Sequence, residues 1–217
     1  KEVAAINPEA RNVWAAGGNP YALSVEKLEK IALLIRKYLP HARISTYARV
    51  TDFMNKSVSD IRHLKELGFE DILIGIESAD DAPLTFMNKG YSGQDVLTQL
   101  RKVEEAGVDY RVIYLGGIAG KNKCEDSARK TSQILNLLHP YMIYLTSVAV
   151  LPDTALYQDI LEGRFIEPSE LERIKELRTL ISCLNNDIYV YARSVSSAVD
   201  FTADLPKDKE RVLKKLD

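Results

Sequence analysis

Apolar and polar residues alternate in blocks along this chain. A short apolar run is followed by a stretch with apolar positions three and four apart, and then by another apolar run. Runs bounded by glycine, proline or asparagine predict strands, and the three-and-four spacing predicts amphipathic helices. Asn12 to Ala16 is the first such run, and it stops at Gly17-Gly18. Ser24 is placed to cap the next helix, whose apolar face is Leu28, Ile31, Ala32, Ile35 and Leu39, with Pro40 as its stop. Ile44 to Val50 predicts the second strand. Ser57 then caps a helix with Ile61, Leu64 and Leu67 turned inward, and Gly68 closes it where a left-handed residue is favoured. Asp71 to Ile76 is apolar nearly throughout, as suits a strand covered on both faces. The unit repeats, with Ser92 as cap, Val96, Leu100 and Val103 as the buried face, Gly107 as the stop and Tyr110 to Leu115 as the strand. A helix over about Asp126 to Leu138, closed by Pro140, and a strand over Met142 to Val150 complete the series. Glu66-Leu67-Gly68-Phe69 and Glu105-Ala106-Gly107-Val108 are one device used twice: a helix stop followed at once by a strand start.

After Pro152 the pattern turns helical. Asp153 to Leu161 and Pro168 to Leu184 predict two helices, the second with Leu171, Ile174, Leu177, Leu180, Ile181 and Leu184 at helical spacing. Ile188 to Tyr191 is compatible with one short extra strand. Lys207, Lys209, Arg211, Lys214 and Lys215 alternate with acids and read as the solvated face of a terminal helix. Strands alternating with helices through short connections imply an α/β fold with parallel strands and right-handed crossovers. A doubly wound open sheet and a partial (β/α) TIM-like barrel both fit. The expected division is a core over residues 1–150 and a C-terminal helical extension over 151–217. In either fold the residues just past each strand share one edge, where ligands bind.

Composition narrows the picture. Of 217 residues, 46% are hydrophobic and 28% charged, an ordinary globular balance. No run approaches the roughly 20 apolar residues of a membrane helix, and no signal peptide is visible, so a cytoplasmic protein without a membrane partner is expected. The net charge of −2 gives no long-range attraction for nucleic acid. The two cysteines, Cys124 and Cys183, are far apart and outside any Cys-x-x-Cys pair, which suits reduced thiols. Cys124 sits near a helix start, where a thiolate is favoured. His41, His63 and His139 are not spaced as ligands and read as structural or solvent-facing; no metal site is expected and no catalytic residue stands out. The chain opens on Lys1 rather than methionine, which is read as a trimmed start.

The chemistry-bearing residues collect after the strands: Gly17-Gly18-Asn19-Pro20, then Arg49, Thr51 and Asp52, then Glu77, Ser78, Asp80 and Asp81, then Gly116 to Lys121. Glycine there either makes a tight turn or lets a ligand approach bare backbone. Glu77 either caps a helix, pairs with a lysine or faces a ligand. The Gly116–Lys121 run lacks the spacing of a phosphate loop.

Taken in order, these segments resemble the radical S-adenosylmethionine (radical SAM) superfamily. Gly17-Gly18-Asn19-Pro20 is similar to its glycine-rich turn, which bonds the methionine amino group of S-adenosylmethionine. Tyr47-Ala48-Arg49 resembles the end of the next family strand. Gly75-Ile76-Glu77-Ser78-Ala79-Asp80-Asp81 with Met87-Asn88-Lys89-Gly90 is similar to a stretch of the branch related to oxygen-independent coproporphyrinogen III oxidase. Gly116-Gly117-Ile118-Ala119-Gly120 resembles the turn that presents backbone to adenine, and Val150 to Tyr157 resembles a segment after the last barrel strand. The resemblance spans about Asn12 to Leu184. It implies cofactor-binding roles for Gly17, Gly18, Asn19 and Pro20 (methionine ammonium), Arg49 or Lys89 (methionine carboxylate), Glu77 or Ser78 (ribose) and Gly117, Ile118 and Ala119 (adenine). It also implies a 4Fe-4S cluster, a reductant such as flavodoxin or ferredoxin, and a small-molecule substrate left unassigned.

One departure from the family stands out. The three cysteines of its CxxxCxxC loop are not in this chain, and without thiolates no cluster is held. The expectation is therefore a fragment lacking the first barrel strand, inactive alone, with neither cofactor expected bound as it stands and S-adenosylmethionine binding weak at best, whose Val13–Ala16 strand is an apolar edge covered by a second copy, by packing or by residues 1–10. Two other readings compete: a non-catalytic scaffold or nucleoside-binding barrel without a cluster, and an unrelated phosphate-binding α/β barrel enzyme.

Overall fold

The computed structural model describes residues 2–217. In chain order these form α1 (Glu2–Ile6), β1 (Asn12–Ala15), α2 (Val25–Tyr38), β2 (Arg43–Arg49), α3 (Val58–Glu66), β3 (Phe69–Glu77), α4 (Asp81–Phe86), α5 (Gly93–Glu105), β4 (Asp109–Gly116), α6 (Cys124–Leu135), β5 (Met142–Ser147), α7 (Ala155–Leu161), α8 (Glu170–Cys183), β6 (Ile188–Ala192), β7 (Phe201–Leu205) and α9 (Lys209–Leu216). Short 3-10 turns occupy Pro20–Ala22 and Val50–Phe53. The seven strands lie side by side in chain order, β1 to β7. Pairing is parallel for β1–β2, β2–β3 and β5–β6, and antiparallel for β6–β7. A doubly wound sheet reverses its order at a switch point. Here each new strand is added on the same side as the last, which is the winding of a (β/α) barrel.

The chain packs as two compact units, Lys1–Gly75 with Thr98–Arg111, and Ile76–Leu97 with Val112–Asp217. This division cuts across the segments 1–150 and 151–217.

In the first unit the predicted stops and starts do their work locally. Ser57 forms a capping box with Asp60 at the head of α3. Gly68 (φ 115°) and Gly107 (φ 73°) take the positive φ that ends a helix and turns straight into a strand. Ser24 stands at the start of α2 but makes no side-chain bond to its backbone; its hydroxyl engages Glu26 instead. The core is built from Leu28, Ala32, Ile44, Ile61, Leu64 and Ile72, all without exposed surface. Tyr21 is sealed in beside Phe53, with ring centroids 5.1 Å apart. At the edge, β1 pairs with β2 alone, Asn12 aligned with Arg43. Val13 and Ala15 are half-buried, and Trp14 is exposed, edge-on to Tyr47 at 5.0 Å. None of the residues of α1 is buried.

In the second unit a hydroxyl cluster ties the segment after β3 to α6. Ser78 Oγ lies 3.2 Å from Ser127 Oγ and 3.1 Å from Thr131 Oγ1, which also accepts the Ala79 N–H at 2.9 Å. α6 packs on α8, and α8 on α9. Ser169 and Glu172 form the capping box of α8. After Pro152 the chain forms α7 and α8, and the short strand expected at Ile188–Tyr191 is β6, beside β5. The correction is β7, which the hydrophobic pattern did not predict and which pairs back on β6. β5 also ends at Ser147 rather than Val150, and α6 runs from Cys124 to Leu135 rather than from Asp126 to Leu138. α4 was not foreseen; Asp80 caps it by accepting the Ala82 N–H.

Candidate functional site

In the first unit, Gly17 (φ 98°) and Gly18 (φ 110°) follow β1 after Ala16. A Cβ built on either would meet nothing within 4 Å, so the turn is an open ledge of bare backbone. Pro20 opens the short 3-10 turn with Asn19 as its cap residue. Asn19 Nδ2 donates to Asp52 Oδ2 at 2.8 Å, and the same oxygen accepts the Arg49 N–H at 2.7 Å. Asp52 therefore ties the turn after β1 to the end of β2. Lys56, almost fully buried, donates to the Tyr21 and Asp52 carbonyls at 2.9 and 3.0 Å. Burial lowers its pKa, opposed by the carboxylates of Asp52 and Asp60. Asn19 Oδ1 is enclosed and accepts no hydrogen bond among the described residues. An unsatisfied acceptor beside an open glycine ledge suits a cationic N–H donor such as an ammonium group. Arg49, the last residue of β2, is exposed.

In the second unit, Glu77 ends β3 with φ 58°, a left-handed value uncommon outside glycine. The Ser78 N–H reaches back to the Ile76 carbonyl at 2.6 Å, which makes Glu77 the centre of a γ-turn of the rare positive-φ kind. Lys89 Nζ stands 3.5 Å from Glu77 Oε1, with both side chains partly exposed. These two predicted residues thus meet each other. Ser78 does not face outward: it is fully buried, and its hydroxyl is committed to Ser127, Thr131 and the Asp80 N–H. The Ser78 hydroxyl is thus engaged within the protein.

The turn after β4 is likewise held from within. Gly117 (φ 81°) and Ile118 are buried, and Ala119 is half-buried. Ile118 and Ala119 line a cavity of about 160 Å³ together with Asp80, Phe86 and Phe165. The Gly117 N–H, expected to face adenine, is donated instead to Glu176 Oε2 at 2.8 Å. Glu176 lies on α8 with no exposed surface, and its Oε1 accepts the Tyr114 hydroxyl at 2.7 Å. Burial pushes its carboxyl up to about 7, against the hydrogen bonds from Tyr114 and Gly117 that favour the charged form. Sequence reasoning missed Glu176. The signal was present: it precedes Leu180 by four residues on the apolar stripe of α8, where a carboxylate is out of place.

The donor set does not fit a 4Fe-4S cluster. Cys124 is buried and donates to the Gly120 carbonyl at 3.3 Å, with its thiol pushed up to about 12 by burial. Cys183 lies at the far end of α8. Among the described residues no group of three or more His, Cys, Asp or Glu is placed to hold a metal ion. The open Gly17–Gly18 ledge and the enclosed Asn19 acceptor do fit the amino-acid end of S-adenosylmethionine.

The chain is 27% identical over 169 residues to the heme chaperone HemW of Bacillus subtilis (strain 168), an alignment covering 76% of this chain and 44% of that protein. The chain thus spans less than half the length of that relative. Among solved structures it is similar to the archaeal Elp3 of Methanocaldococcus infernus with an N-terminal deletion (TM-score 0.68, 16% identity, 99% of this chain and 56% of that one). It is also similar to coproporphyrinogen III oxidase (HemN) from Escherichia coli, described as a radical SAM enzyme (TM-score 0.66, 18% identity, 79% of this chain and 39% of that one). Residues 1–130, which run from α1 into α6, match the radical SAM superfamily, and that match covers more than half of the chain. With a singly wound α/β sheet and glycine turns after β1 and β4, the chain belongs to the radical SAM superfamily.

Proposed function

We propose that this chain is the S-adenosylmethionine-binding part of a radical SAM protein. The turn at Gly17–Pro20 takes the methionine ammonium, Arg49 the methionine carboxylate, Glu77 a ribose hydroxyl, and the backbone of Ile118 and Ala119 the adenine edge. The observation that carries the reading is the ledge at Gly17-Gly18, two successive positive-φ glycines open on their Cβ side beside the unsatisfied Asn19 Oδ1. Lys89 tempers Glu77 rather than binding carboxylate, since their charged groups stand 3.5 Å apart. When bound, a 4Fe-4S cluster supplies the electron for reductive cleavage of S-adenosylmethionine in this superfamily. The residues of this chain bind and orient; the thiolates come from elsewhere, and the 217 residues alone do not cleave the sulfonium. A soluble reductant and a small-molecule substrate complete the intact system.

Calorimetric titration tests the reading. S-adenosylmethionine is expected to bind the protein weakly, and a Gly17→Ala/Gly18→Ala double substitution is expected to weaken binding about tenfold or more, because alanine resists φ near +100°. Anaerobic assays of these residues alone are expected to yield no 5′-deoxyadenosine. Equal affinity of the double variant and the unaltered protein would remove the glycine turn from the site.

A further inference from the structure

The side chains of α8 reach the loop after β4 at several points. Glu176 Oε2 accepts the Gly117 N–H at 2.8 Å and Glu172 Oε1 accepts the Asn122 N–H at 2.7 Å. Arg173, between them on the helix, donates to the Val148 carbonyl at 3.1 Å, and the Val148 N–H is in turn donated to the Gly116 carbonyl at 2.9 Å. At the other end of the turn the Cys124 thiol donates to the Gly120 carbonyl. Glu176 is the unusual member. A fully buried carboxylate is costly to keep, and a leucine there would pack with Leu177 and Leu180 at no such cost. What the carboxylate provides is an acceptor for a backbone N–H at the centre of a glycine turn. The second oxygen is fixed by Tyr114, which projects from β4, the strand that feeds the turn. The helix and its polar side chains lie outside residues 1–130, which match the superfamily.

We propose that Glu176 is a positioning residue, which holds the Gly116–Gly120 turn from behind in the shape that offers Ile118 and Ala119 to the nucleoside without touching it. The proposal rests on the functional reading above. It makes nucleoside affinity depend on a buried side chain of α8, through the orientation of Gly117.

The test uses the intact protein and S-adenosylhomocysteine as the calorimetric probe, with amide hydrogen exchange at residues 116–120 as a second readout. Glu176→Leu removes the acceptor. Tyr114→Phe combined with Glu176→Leu removes both partners and spares the core an unpaired hydroxyl, so that the fold is retained. Glu176→Gln is the rescue: its amide oxygen still accepts from Gly117 while its amide nitrogen donates to the Tyr114 oxygen. Affinity is expected to fall roughly tenfold in both leucine variants and to stay within about twofold in Glu176→Gln. Exchange at Gly117 is expected to accelerate in the same two variants. If the Tyr114→Phe/Glu176→Leu protein binds as tightly as the unaltered one, Glu176 serves stability alone and the proposal is overturned. If the unaltered protein fails to bind S-adenosylhomocysteine at all, the nucleoside reading falls, and this proposal with it.

Discussion

Cys124 is the first residue of α6, a position where a helix ordinarily favours a thiolate. Burial nevertheless pushes its thiol up to about 12, with the Glu176 carboxylate as the second cause. Desolvation outweighs the helix terminus, in keeping with the reading of both cysteines as reduced thiols. The same desolvation raises Glu176 from an ordinary 4.5 to about 7. Between those values the folded protein holds a proton that the unfolded chain has released. Stability from this group is therefore full below about pH 4.5 and is lost as pH rises through about 7, a change of roughly 3 kcal/mol. The groups that face it are Tyr114 from β4, Cys124 from α6 and Arg173 on its own helix. Tyr114 and Cys124 are both shifted upward and keep their protons through that window. The melting temperature is expected to decline between about pH 5 and pH 8, and Glu176→Gln is expected to remove most of that slope. A variant with the same slope as the unaltered protein would assign the titration to another group.

At the scale of elements, most local signals worked where the deciding partner lies within a turn of the residue that carries the signal; Ser24, which engages Glu26 instead of the helix backbone, is an exception. Ser57 with Asp60, Ser92 with Asp95 and Ser169 with Glu172 all engage each other at helix starts. Gly68 and Gly107 end their helices as the repeated phrase requires. Signals that depend on distant partners were misread. Ser78 looked like a ligand contact because it follows a strand, yet its hydroxyl partners are 49 and 53 residues away on α6. Thr131 is the hub of that cluster, fully buried, accepting the Ala79 N–H and meeting Ser78. Thr131→Val keeps the shape but strands the buried Ala79 N–H, while Ser78 keeps Ser127 and the Asp80 N–H, and it is expected to destabilise the protein by about 1–3 kcal/mol in urea unfolding. Loss of less than about 0.5 kcal/mol would mean that the N–H does not need the threonine. β7 escaped notice because its alternation, Phe201, Ala203 and Leu205 inward, is short and interrupted by charge, and its pairing with β6 is not local.

For the molecule as a whole, the chain order of the seven strands decides between the two windings that periodicity left open. The chain's two thiols are unsuited to a cluster, one buried and protonated, the other on a different element. Anaerobic reconstitution of these 217 residues with iron and sulfide is accordingly expected to leave no stoichiometric iron and no broad visible absorption; retention of a full cluster would contradict the donor assignment. The sequence by itself determined the alternation of strand and helix, the caps and stops, the α/β class and the polar, glycine-rich tips of the strands. These follow from spacings of two and of three to four residues, which specify the face a residue turns toward the core. Only the tertiary structure decided what that face meets: the strand order, the inward use of Ser78, and the bond from Gly117 to a carboxylate 59 residues further along the chain. Periodicity is a local property, and a contact between distant segments is fixed only when both are packed into the same core.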